Sequence, residues 1–170
     1  MTTPQTPPPP FVPASTPAPT PAPAACPICS SPAGRVVWRC AAWRVVHADS
    51  SAEEHFPAFY RLISNAHYTE WSDLPEPLRQ EGMAIVTRIE LLMRQHFEPH
   101  KMNLATLGNV VPHVHWHIIA RYVWDTHFPA PVWAAPQRPA DAAKVAALRA
   151  LLPAFEAALP QALQPWADQS

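Results

Sequence analysis

The run His113-Val114-His115-Trp116-His117-Ile118-Ile119 alternates polar and apolar residues strictly over its first five positions. That is the period of a β-strand, in which successive side chains face opposite ways. Three imidazoles then share one face, and Val114, Trp116 and Ile118 share the other. An apolar strand face must be covered, and the segment from Pro77 to Phe97 offers the cover. There Ile85, Val86, Ile89, Leu92 and Met93 recur at helical spacing and form one stripe. Asp73, Glu76 and Pro77 mark the start of this helix, and Pro99 stops it.

Around this pair the pattern predicts further short elements. Val36-Val37-Trp38 and Trp43 with Val45-Val46 flank Cys40-Ala41-Ala42, which reads as two strands joined by a turn. Phe59-Tyr60-Arg61-Leu62-Ile63 is a third strand, and a polar connection from Asn65 to Asp73 carries His67. A short apolar stretch from Met102 to Leu107 precedes the histidine strand. The Ala- and Leu-rich segment from Asp141 to Leu163 is predicted helical, with Pro153 and Pro160 expected to break or kink it. Three strands, a helix and two more strands give an α+β fold with an antiparallel sheet.

Of 170 residues 24 are proline, and residues 1–25 are almost wholly Pro, Ala and Thr. Such a segment lacks the apolar area to offset its ordering entropy, so a disordered tail is expected there. The folded domain is expected over residues 26–135, with a helical C-terminal extension over residues 136–170. No basic, apolar leader and no run long enough to span a bilayer is present, so a cytoplasmic protein without membrane attachment is expected. The net charge of -1 argues against a large nucleic-acid surface. A small phosphate ligand needs no such excess of cations.

Three readings of the histidine strand compete. Isolated strand histidines are commonly hydrogen-bonded structural residues, but three in register make that reading poor. A His-x-His pair can share one metal, since same-face neighbours lie roughly 6.5–7 Å apart. The outer pair, about 13 Å apart, cannot easily share a single ion. No Glu follows between His117 and Glu156 to complete an oxygenase-type set. The third reading is phosphorus chemistry. Neutral imidazole is a nucleophile near pH 7 and can form a covalent intermediate that water resolves, with flanking donors stabilising charge on the phosphoryl oxygens. The middle residue, His115, is then the nucleophile. Separately, Cys26-Pro27-Ile28-Cys29 suggests metal ligation, a redox pair or two inert thiols. Cys40 reads as a small buried hydrophobe. His47, His55, His96 and His100 read as surface or cap residues, and His127, between Trp124 and Trp133, as packing or a pocket wall.

His113 to Ile119 resembles the His-φ-His-φ-His-φ-φ signature of the histidine-triad (HIT) family. Gly108-Asn109-Val110-Val111-Pro112 resembles the loop that precedes its triad. Asn103 through Arg121, and His127-Phe128-Pro129, resemble a bacterial, zinc-bearing branch. The likeness covers residues 26 to about 133. It implies a HIT-like antiparallel sheet of about five strands with a long helix packed across it, frequently assembled as a homodimer. It also implies a hydrolase or transferase acting on nucleoside phosphoramidates or dinucleoside polyphosphates through a nucleotidyl-histidine intermediate. His115 stands at the family's nucleophile position and His117 at the position that binds phosphate. Asn103 and Asn109 stand where relatives place amides that meet the substrate. Cys26, Cys29, His67 and His113 stand at the ligand positions of a structural zinc. Two departures point to an alternative, a non-catalytic nucleotide-binding module on a zinc-stabilised scaffold. Phe59 replaces a histidine of the third strand, and Val110 a hydroxyl residue near the leaving group.

Overall fold

The computed structural model describes residues 26–48, 50 and 54–167. The expected Pro/Ala/Thr-rich tail lies outside the described residues. In chain order the elements are α1 (Pro27–Ser30), β1 (Arg35–Arg39), β2 (Trp43–His47), β3 (Phe59–Ser64), α2 (Glu76–Phe97), β4 (Lys101–Ala105), β5 (His115–Arg121) and α3 (Ala142–Ala162). The strands form one sheet in the order β1-β2-β3-β5-β4. Every neighbouring pair is antiparallel, which is the expected α+β architecture.

Alternation along the strands divides the sheet into two faces. One face carries Val45, Tyr60, Leu62 and Ile118 into a core shared with Ile85, Val86, Ile89, Met93 and Phe97 of α2. Burying each such side chain contributes about 1.5–3 kcal/mol, and this seam fixes which way β5 faces. Gly82 lets α2 approach β2 closely, because a Cβ there would lie 2.7 Å from the Trp43 ring. The C-terminal helix joins the same core through Leu148, Phe155 and Leu159, all buried. Its Phe155 ring lies 4.8 Å from Tyr60 and 4.9 Å from Phe97. On the outer side Glu156 binds Arg35 through both carboxylate oxygens at 2.7 Å and accepts from the Tyr60 hydroxyl at 3.0 Å.

The structure differs from the sequence reading at four places. α3 is continuous through Pro153 and Pro160. Both prolines lie on its exposed side, where a carbonyl that loses its N–H partner can meet water. β5 begins at His115 rather than His113, because the His113 N–H turns back to the Val111 carbonyl at 2.8 Å. His47 is buried rather than on the surface, its Nε2 held 2.7 Å from the Pro57 carbonyl. Residues 27–30 form a one-turn helix with Pro27 at its start. Cys40 is buried, as expected.

Candidate functional site

The other face of the sheet carries polar chemistry between two small apolar clusters. Cys26, Ile28, Val46 and Ile63 form one, and Ala48, Phe56, Phe59 and Ile119 the other. Beside the first, α1 turns the two thiols of its motif towards two histidines. One ligand atom from each of Cys26, Cys29, His67 and His113 lies within 4.8 Å of every other. Cys29 Sγ is 3.4 Å from both His67 Nδ1 and His113 Nδ1, and Cys26 Sγ is 3.6 Å from His113 Nδ1. The two Nδ1 atoms are 3.2 Å apart.

These spacings can be tested against a metal. A tetrahedral zinc, with bonds of about 2.3 Å to sulfur and about 2.0–2.1 Å to nitrogen, requires S···N edges of about 3.6 Å and an N···N edge of about 3.4 Å. The three S···N distances and the N···N distance given above meet these to within a few tenths of an ångström. His113 Nε2 donates to the Ser64 carbonyl at 2.8 Å, which leaves the Nδ1 lone pair facing the cluster. Burial holds the conjugate acid of His113 down to about 4, against the opposing pull of the Ser64 carbonyl. Burial and then the neighbouring Cys26 push the Cys29 thiol up. A cation at the centre supplies the charge that favours the thiolate. The residues fit a structural metal of zinc type.

His115 and His117 line a cavity of about 510 Å³ together with Ile28, Arg61, Asn109 and Trp133. His113 belongs to the Cys₂His₂ cluster and is not among the cavity's lining residues. The two cavity rings stand edge to face, their centroids 4.7 Å apart. His115 Nδ1 is 2.6 Å from the His113 carbonyl, so its N–H donates there and Nε2 carries the free lone pair. Burial lowers the His115 pKa, opposed by that carbonyl and aided by Arg61. Burial, followed by His115 and Arg61, brings the His117 pKa down to about 3. Both imidazoles are therefore neutral at pH 7. His117 Nδ1 is buried and has no hydrogen-bond partner among the described residues.

The remaining expected residues divide. Asn109 lines the cavity, and Val110, at 94% exposure, lies on its rim. Asn103 pairs with Ile119 across the β4–β5 ladder and is not among the lining residues. Its Oδ1 accepts from Arg121 at 2.7 Å, which leaves the amide N–H groups for any ligand. Phe59 stacks edge-on to His117 at 5.5 Å. His127 does not line the cavity; its backbone N–H donates to Asp125. Two lining residues went unrecognised as such in the sequence. Arg61 pairs with His117 across the β3–β5 ladder, a signal that appears only once the register is known. Trp133 reaches the cavity from the irregular segment after β5, and its ring lies 5.0 Å from that of His117.

An antiparallel sheet that presents neutral imidazoles to a cavity, with a metal-type brace behind the strand, defines a protein of the histidine-triad class. Residues 44–123 match the HIT domain family, and this part of the chain is a HIT domain. A histidine triad protein from Bradyrhizobium japonicum is 28% identical, with a TM-score of 0.56 over 71% of this chain and 88% of that one. A histidine triad protein from Marinobacter aquaeolei VT8 is 26% identical, also with a TM-score of 0.56, over 73% and 89%. A Zn-bound histidine triad family protein from Mycobacterium smegmatis shares the fold at 19% identity and a TM-score of 0.50, over 79% and 97%. No curated protein matches the chain. The match supports a nucleotide-binding function of hydrolase or transferase type in general terms. No helix among the described residues is long and apolar enough to cross a membrane.

Proposed function

We propose that the protein is a nucleotide hydrolase or nucleotidyl transferase acting on nucleoside phosphoramidates or dinucleoside polyphosphates, with His115 as nucleophile. The observation that carries this reading is the 2.6 Å contact between His115 Nδ1 and the His113 carbonyl. It fixes the tautomer in which Nε2 is the nucleophilic atom of a ring that lines the cavity. Nε2 attacks phosphorus, the P–N or P–O bond breaks, and the leaving group departs with that electron pair and takes a proton from water. Water then attacks the nucleotidyl-His115 intermediate, releasing nucleoside monophosphate and restoring the free imidazole. His117, through the ring edge that lines the cavity, and Asn109 are the phosphate-side donors. Asn103 is assigned to the substrate through its amide N–H groups alone.

Cys26, Cys29, His67 and His113 would hold a structural zinc, whose Lewis-acid charge would keep the two thiols ionised. Elemental analysis of protein purified without chelators tests this; no metal would remove the assignment. A Cys₂His₂ set of zinc type accords with a reducing compartment, and we place the protein in the cytoplasm. A homodimer is proposed on family grounds alone, and sedimentation tests it.

Incubation with an adenosine phosphoramidate or a dinucleoside polyphosphate should yield nucleoside monophosphate, and His115→Ala should abolish turnover. Mass spectrometry of the quenched reaction should show one nucleotidyl adduct on the wild type. Full turnover in the variant would remove His115 from its role. A second reading, a nucleotide-binding module without catalysis, is favoured by Phe59 and the rim residue Val110, neither of which can donate a hydrogen bond. Tight binding with no product would select it, and multiple turnover would reject it.

A further inference from the structure

Trp133 is 52% exposed, although indole is among the costliest side chains to leave in water. Its position is not that of a stray surface residue. It lines the cavity with His115 and His117, and its ring meets the His117 ring edge-on at 5.0 Å. Apart from the histidines, it is the only aromatic side chain among the described residues that line the cavity. The other walls are aliphatic, such as Ile28, Leu107 and Val111, or hydrogen-bonding, such as Asn109.

A nucleotide has two ends with different needs. The phosphate end is served by His115 Nε2 and His117, as the proposed reaction requires. The base is a flat aromatic ring with one apolar face on each side, and it gains most from a second flat ring with water removed between them. From the His115 ring, Trp133 is reached in two steps through His117, one of 4.7 Å and one of 5.0 Å. That span suits one nucleoside, with phosphorus at His115 and the base beyond the ribose. The edge-on contact with His117 braces the indole while leaving much of the ring open.

We propose that Trp133 is the stacking platform for the nucleobase and so sets the protein's preference for nucleotides over sugar phosphates. This inference rests on the nucleotide reading above. Stacking recognises the aromatic face of the base rather than its hydrogen-bonding edge, so the platform accepts purines and pyrimidines in order of ring area.

The test is calorimetric titration of the wild type, Trp133→Ala and Trp133→Phe with AMP, CMP and ribose 5-phosphate. Trp133→Ala should weaken AMP binding about 10- to 100-fold while leaving ribose 5-phosphate unchanged. Trp133→Phe, which keeps a flat ring, should bind AMP within about fivefold of the wild type. In the wild type AMP should bind more tightly than CMP. Equal losses for AMP and ribose 5-phosphate in Trp133→Ala, or no loss for either, would overturn the platform. A wild type that binds neither AMP nor CMP would instead overturn the nucleotide reading itself, so the two failures are distinct.

Discussion

Asp125 offers the sharpest test of how the segment carrying Trp133 is held. Its carboxylate accepts from Arg121 Nε at 2.8 Å and from a terminal Arg121 nitrogen at 3.0 Å. It also accepts from the backbone N–H groups of Tyr122, His127 and Phe128, at 3.1, 2.9 and 2.7 Å. Both side chains are essentially inaccessible, at 1% and 2% exposure. Asp125→Ala leaves a buried guanidinium without its carboxylate, a loss of about 3–5 kcal/mol. Arg121 retains the Asn103 side chain and the Ala130 carbonyl as acceptors, so we expect about 4 kcal/mol rather than more. For a chain of this size that lowers Tm by about 8–16 °C. Asp125→Asn, which keeps the shape and one acceptor, should cost about 2 kcal/mol. The pH dependence has a defined sign. Burial pushes the Asp125 carboxyl up, but Arg121 and the backbone donors of Tyr122 and His127 outweigh it and hold its pKa below the ordinary carboxylate value. The stabilisation is thus fully present above a pH of about 4 and is lost as pH falls through the lower, folded-state pKa. Urea unfolding at pH 7, 5, 4 and 3 should show the gap between wild type and Asp125→Asn closing as pH drops below about 4. A gap under about 1 kcal/mol at pH 7, or one that widens in acid, would refute the reasoning.

Further substitutions probe the other supports. Phe155→Ala empties a fully buried site between Tyr60 and Phe97, so urea denaturation should show a loss of about 3–5 kcal/mol in a single transition; two transitions would mean that α3 is not part of the common core. Gly82→Ala drives a methyl group to 2.7 Å from the Trp43 ring, and a thermal melt should register about 1–3 kcal/mol of destabilisation. Cys29→Ser removes one of the proposed metal donors. Since outer partners alone change metal affinity by about 10–100-fold, competition with a chelator should show a fall of more than tenfold.

Periodicity made the scaffold legible. Two-residue alternation and the 3.6-residue stripe each answer to a single buried face, and Ile118 against Ile85 and Ile89 satisfies both. What escaped depends on partners far away in the chain. The persistence of α3 through its prolines depends on the packing of Phe155 and Leu159, whereas local propensity argues for a break. His47 is buried because the Pro57 carbonyl happens to receive its ring nitrogen. Arg61 reaches the cavity through strand register, and Trp133 through a loop whose path is set by the buried Arg121–Asp125 pair. The Cys-x-x-Cys spacing was visible, but on spacing alone it left metal, redox and inert thiols open. Only family resemblance supplied His67 and His113.

The histidine strand also explains why a metal-type brace stands where it does. Ladder hydrogen bonds begin at His115, so His113 lacks the pairing that steadies His117. Its backbone is tied instead by the turn to Val111, and its ring by the cluster and the Ser64 carbonyl. Yet the His113 carbonyl is the group that fixes the tautomer of His115. The same planar peptide unit is held on its other side by the Val114 N–H, which donates to the Tyr68 carbonyl at 2.8 Å, so the cluster and this bond together aim the carbonyl. Were it displaced, the proton on His115 could move to Nε2 and block the lone pair that the proposed attack needs. The Cys₂His₂ cluster thus does for His113 what the sheet does for its neighbours. On the proposed mechanism, loosening it should lower turnover more than nucleotide affinity, because binding would draw on His117, Asn109 and Trp133, while attack would depend on a single nitrogen.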